Sequence, residues 1–117
     1  MEQAVIIKTD STKSVVEFEV GESYALISQA VGGWIEVVGL NKRNADLWCN
    51  EEGKIDGLPQ NPIATSLFME EYGRNDVIVG NVIITGGTDE NGDTLGLTPE
   101  QVDSLINYDR EIWKLGF

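Results

Sequence analysis

The chain has 117 residues, 41% of them hydrophobic and 24% charged, with 20 acidic against 8 basic side chains and a formal net charge of −12. That length buries one core and is too short for two, and the composition is that of a globular chain, so a single domain over 1–117 is expected. So acidic a surface repels phosphate backbones and anionic lipid, which sets direct binding to nucleic acid or membrane aside and leaves basic proteins or small polar ligands as partners. The longest apolar runs, 4–7 and 82–84, fall far short of the roughly 20 residues that a membrane-spanning helix needs. One cysteine, Cys49, permits no intramolecular disulfide, and no charged and then apolar leader follows Met1. A cytoplasmic setting is therefore expected.

In chain order, 3–8 and 14–20 are rich in β-formers and are separated by the turn-forming run 9–12, which predicts a hairpin. Val16, Phe18 and Val20 alternate with Glu17 and Glu19, so one face of the second strand is expected to be buried and the other wet. Over 22–31, Tyr24, Ile27 and Val31 fall on one helical face, and Gly32-Gly33 supplies a stop. A second hairpin is expected from 34–40 and 45–49 across the polar loop 41–44. Asn61-Pro62 has the form of an N-cap followed by proline at the first helical position, opening a helix to about Tyr72 with Ile63, Leu67 and Phe68 inward and Glu70 and Glu71 outward.

The most β-like stretch is 76–85, expected to be a central strand, with Gly80 and Asn81 marking a bulge or close backbone approach inside it. After a glycine-rich turn over 86–96, Thr98-Pro99-Glu100-Gln101 has capping-box spacing, and Val102, Leu105, Ile106 and Trp113 supply the stripe of a final helix. These elements predict an α+β fold: a mainly antiparallel sheet of about five strands with two or three packed helices.

The chemistry available is limited. Histidine is absent, so mechanisms built on imidazole are excluded, and Cys49 has no such base to activate it and reads as a buried, inert thiol. Glu51-Glu52 are adjacent carboxylates whose side chains point apart on a strand or turn, which does not make a hydrolase pair. Asp89, Asn91, Asp93 and Glu100 stand at the first, third, fifth and twelfth positions of a calcium loop, but Thr94 replaces the glycine required at the sixth. The bland reading of that run is a solvated turn followed by a helix start. Gly86-Gly87-Thr88 lacks both phosphate-loop spacings and reads as turn residues. No cofactor is expected.

Three ordered blocks remain. Gly33-Trp34-Ile35-Glu36-Val37-Val38, then Asn50-Glu51-Glu52-Gly53-Lys54 with Leu58-Pro59-Gln60-Asn61-Pro62-Ile63-Ala64-Thr65, then Asp76-Val77-Ile78-Val79-Gly80-Asn81 with Gly86-Gly87, together resemble the DUF3846 family over about 17–101. Members of that family occur in bacteria, archaea and particularly phages and other mobile elements. The resemblance therefore implies an accessory or host-interaction role, in the host cytoplasm if the chain is phage-encoded, and assigns no catalytic residue.

Read from the residues alone, Trp34, Trp48, Asn50, Glu51, Lys54, Asn61 and Asn81 are the candidate ligand-binding set. The alternative is that the asparagines cap helices and close turns. Three functions follow as expectations. The first is a non-enzymatic accessory protein that binds a host protein. The second is a module that binds or sequesters a nucleotide or metabolite. The third is an acidic DNA mimic, which requires its carboxylates in ordered rows.

Overall fold

The structure, a computed structural model, describes residues 1–109, and among these it has five strands and three α-helices. Strands β1 (Glu2–Ile7) and β2 (Lys13–Phe18) form the first hairpin, and β3 (Ile35–Leu40) and β4 (Ala45–Asn50) form the second across a 3-10 turn over Asn41–Arg43. The short strand β5 (Val82–Thr85) fills the gap between them, pairing antiparallel with β1 on one side and β4 on the other. The sheet order is β2-β1-β5-β4-β3 and every pairing is antiparallel, so the expected α+β architecture is what the chain adopts.

Helices cover both faces. Helix α1 (Ser23–Val31) buries Ile27 and Val31 against Ala4, Phe18 and Ile83, with Trp48 and Ile35 packed at the margin. On the other face α2 (Pro62–Tyr72) and α3 (Pro99–Ile106) set Ile63, Ala64, Leu67 and Leu105 against Val5, Ile7, Leu47, Val82 and Ile84. Being covered on both sides explains why all four residues of β5 are buried, and why that segment reads as a continuous β-branched run without alternation.

Several expectations are corrected. The central strand is limited to Val82–Thr85, because Gly80 takes a positive φ of 78° and Asn81 turns its Oδ1 to accept from the Thr9 N–H at 3.0 Å, which breaks the ladder. Upstream, Val79 instead makes an isolated bridge to Gln60. β2 stops at Phe18 and leaves Val20 exposed, and on α1 Tyr24 is exposed while Leu26 and Ala30 join the inward side. Glu70 and Glu71 are engaged by the 3-10 turn: Arg43 pairs with Glu70 at 3.0 Å, and the Lys42 N–H donates to Glu71 at 3.0 Å. Thr98 and Gln101 form the expected capping box. Trp113, expected on the last stripe, lies outside the described residues.

One side chain joins three of these elements. Asn61 is 0% exposed; its Oδ1 accepts from the Ala64 N–H at 3.1 Å as the N-cap of α2, and its Nδ2 donates to the Ile7 and Gly80 carbonyls at 3.0 Å each. Both N–H donors and the carbonyl oxygen of that amide are therefore engaged by backbone groups in an interior shut off from water. Asn61→Ala is expected to lose about 3 kcal/mol of stability, the sum of a lost cap and two stranded carbonyls. Asn61→Asp, which keeps the cap acceptor but sets a carboxylate against two carbonyls, is expected to be no better. Urea denaturation measures both, and a loss under about 1 kcal/mol for Asn61→Ala would show that water replaces the amide.

Candidate functional site

At the β3 edge of the sheet, on the α2 face, lies a cleft of about 250 Å³. Its floor is Glu36 and Val38 of β3 with Cys49 of β4, which face the same way because Glu36 pairs with Cys49 and Val38 with Leu47 across the hairpin. Phe68 of α2 and the segment Val77 to Val79 form one wall, and Asn50, Glu51, Lys54 and Ile55 form the other.

Local bonding sets both walls. Past β4 the chain turns because Asn50 Oδ1 accepts from the Glu52 N–H at 2.8 Å, an Asx-turn, and the Glu51 N–H donates to the Trp34 carbonyl at 2.8 Å. Gly53 allows the return: a Cβ there would lie 2.8 Å from Val79 Cγ2. The opposite wall is held from behind. Thr65 Oγ1 donates to the Ile78 carbonyl at 3.2 Å and accepts from its N–H at 2.9 Å, while the Asn61 N–H donates to that same carbonyl at 2.8 Å. Asn61 thus positions residues 78–80 as well as the helix, holding Ile78 through its backbone N–H and Gly80 through its side-chain Nδ2.

The cleft is acidic. Glu36, Glu51 and Asp76 contribute three carboxylates against the single ammonium of Lys54, which is itself ion-paired to Asp76. The Lys54 hydrogen bond, helped by the Val77 N–H at 2.8 Å, holds the Asp76 carboxyl below its usual range. That pair is half-exposed on both sides, and such surface pairs are worth at most about 1 kcal/mol. The side chains of Glu36 and Glu51 make no hydrogen bond or ion pair among the described residues.

Cys49 at the floor is 7% exposed, and burial, reinforced by Glu36 and partly offset by Lys54, pushes its thiol up to about 11. It is therefore protonated and unreactive at neutral pH, in keeping with an inert thiol.

The seven candidate residues do not form one constellation. Asn50, Glu51 and Lys54 line the cleft. Trp34 stands beside it, 68% exposed, attached through its carbonyl to Glu51. Trp48 packs on the α1 face and donates its Nε1–H to Thr85 Oγ1 at 2.9 Å. Asn61 is sealed in the interior, and Asn81 closes the β1–β2 turn. Asp89 accepts at Oδ1 from the Asn91 and Asp93 N–H groups at 2.8 and 2.9 Å, which is turn closure, and Glu100 lies away in α3. No group of three or more metal-ligating carboxylates or thiols is assembled among the described residues.

A second cleft of about 310 Å³ lies against α3. Its polar groups are largely engaged with each other: Arg43 binds Glu70 and Ser104, and Gln101 Nε2 donates to the Arg43 and Asn44 carbonyls. Glu36, Asp76 and Ile55, central to the first cleft, were absent from the candidate set. The signal for Glu36 lies in the alternation of β3, where a carboxylate falls in the inward series with Val38 and Leu40. No local pattern brings Asp76 or Ile55 to it.

These features define a small α+β domain with an acidic cleft at one open sheet edge. The chain belongs to the DUF3846 family: the family model, described as a domain of unknown function, matches residues 1–109, beyond the 17–101 of the motif blocks. No curated protein and no solved structure matches it.

The state of Cys49 is directly measurable. With the thiol at about 11, iodoacetamide at pH 8 should label the native chain at least about a hundredfold more slowly than the chain in denaturant. Equal rates would contradict a buried thiol. Because its folded value is raised from 9.0, the stability it contributes is fully present below pH 9.0 and is lost as pH climbs through about 11. Cys49→Ala should therefore flatten the alkaline fall in melting temperature over that window.

Proposed function

We propose that this chain is a non-enzymatic accessory protein of a phage or mobile element, and that it acts by binding a basic region of a host protein. The observation that carries this reading is the apolar exposure around an acidic cleft whose carboxylates are largely unspent. Ile55 is 86% exposed on its wall and Trp34 is 68% exposed beside it, while Val37, 49% exposed, lies on the opposite face of the adjoining edge strand. Large apolar side chains grouped this way, next to charge, have the composition of a protein contact surface: an aromatic anchor with a polar rim.

Charge favours a basic partner. A cation within about 4 Å of a carboxylate gains about 1 kcal/mol in water and up to about 4 kcal/mol at a surface from which solvent is excluded. The net charge of −12 adds long-range attraction that speeds encounter at low salt. The phage or mobile-element setting is supported by the family resemblance alone.

The test is differential capture from a lysate of the organism that carries the gene, using the native chain and a Trp34→Ala/Ile55→Ser variant of unchanged net charge side by side. Lysine- and arginine-rich proteins should be retained at moderate salt by the native chain and lost from the variant. Identical capture by both, or retention of no basic protein, would contradict the proposal.

A further inference from the structure

The open edge beside the cleft specifies how such a partner would be held. β3 has β4 on one side and no strand on the other among the described residues. An unpaired edge offers a row of backbone N–H and C=O groups to an incoming strand. Near its far end the Gly39 carbonyl already accepts from the Tyr72 hydroxyl at 2.5 Å, which leaves the stretch from Ile35 to Val38 as the open part.

The side chains on that stretch divide by face. Glu36 and Val38 point to the cleft, and Ile35 and Val37 to the α1 side, where Val37 is half-exposed. A strand laid about 4.8 Å beyond β3 would place alternate side chains over those two surfaces. One series meets Glu36, with Glu51 and Asp76 across the cleft, and the other meets Val37.

We infer that β3 accepts an extended segment of a partner protein as a sixth strand, its alternate lysine or arginine side chains entering the Glu36–Glu51–Asp76 cleft and its intervening β-branched side chains packing on Val37. This inference rests on the proposed protein-binding function. A second copy of the chain fits the edge poorly, because two-fold pairing through β3 would bring Glu36 of both copies to one short interface between chains of net charge −12. The same carboxylate that repels a copy attracts a basic strand.

The test selects peptides from a displayed library of random decapeptides on the full chain, then measures synthetic winners by fluorescence anisotropy. Winners should be rich in lysine or arginine alternating with valine, isoleucine or threonine. Glu36→Lys, at an exposed position, should weaken them at least about tenfold, and Glu51→Gln more mildly. Glu90→Lys, an equal charge change in a remote exposed turn, should change affinity less than about twofold. N-methylation of alternate backbone amides, which leaves charge unaltered, should abolish binding.

Basic winners that bind Glu36→Lys as tightly as the native chain, or that tolerate N-methylation in both registers, would overturn strand addition while leaving the binding function standing. Acidic or purely apolar winners, or none, would overturn both. A dimer in sedimentation that Glu36→Lys disrupts would assign the edge to a second copy and overturn the inference.

Discussion

The buried side-chain amide of Asn61 is the constraint on which the rest of the structure depends. It caps α2, bonds the end of β1 at Ile7 and bonds the entry to β5 at Gly80, so it fixes a helix and two strands around one point with no exposure to water. Neutral hydrogen bonds contribute only about 1 kcal/mol each in net terms, but a buried donor or acceptor left without its partner costs the full desolvation of that group. The amide therefore acts less as a source of stability than as a condition: chain arrangements that separate residues 7, 61 and 80 strand three polar groups in the core.

Through its bond to the Gly80 carbonyl the Asn61 side chain also borders the cleft wall, which neighbouring backbone bonds complete. The Asn61 N–H and the Thr65 hydroxyl both hold the Ile78 backbone, and the Gly80 N–H donates to the Pro59 carbonyl at 2.8 Å, so residues 77–79 are presented as a fixed wall facing Glu51 and Lys54. Two of the three sequence blocks meet through this network, and the third supplies the floor through Glu36. The blocks thus have a physical meaning that does not require catalysis: they build and brace one side of the sheet edge.

Most of the fold was legible in the sequence, for identifiable reasons. Glycine stops at 32 and 73, the Asn61-Pro62 helix start, the capping box at Thr98 and the two hairpins are local devices whose outcome depends on a few neighbouring residues. The strand expected over 76–85 was overextended because Val77, Ile78 and Val79 are apolar and β-branched for a different reason: they form the cleft wall and pair with 60–61 instead of a strand of the sheet. Of the candidate site, Asn50, Glu51 and Lys54 were found together because they are close in sequence. Asn61 and Asn81 were grouped with them by residue type; burial takes Asn61 out of the cleft, and a bond from the Thr9 N–H holds Asn81 at the β1–β2 loop. The meeting of Lys54 with Asp76 is a tertiary event between two loops, and no periodicity encodes it.

The acidic edge is the one surface proposed for partner contact. Amide chemical shifts of the isotopically labelled chain, followed while a lysine-rich peptide selected on it is added, test this most directly. The largest changes should fall on 34–38, 51–55 and 76–79, fade as salt is raised, and spare the turn at 89–93. Changes centred on α1, on α3 or on the 89–93 turn, with β3 unmoved, would contradict it.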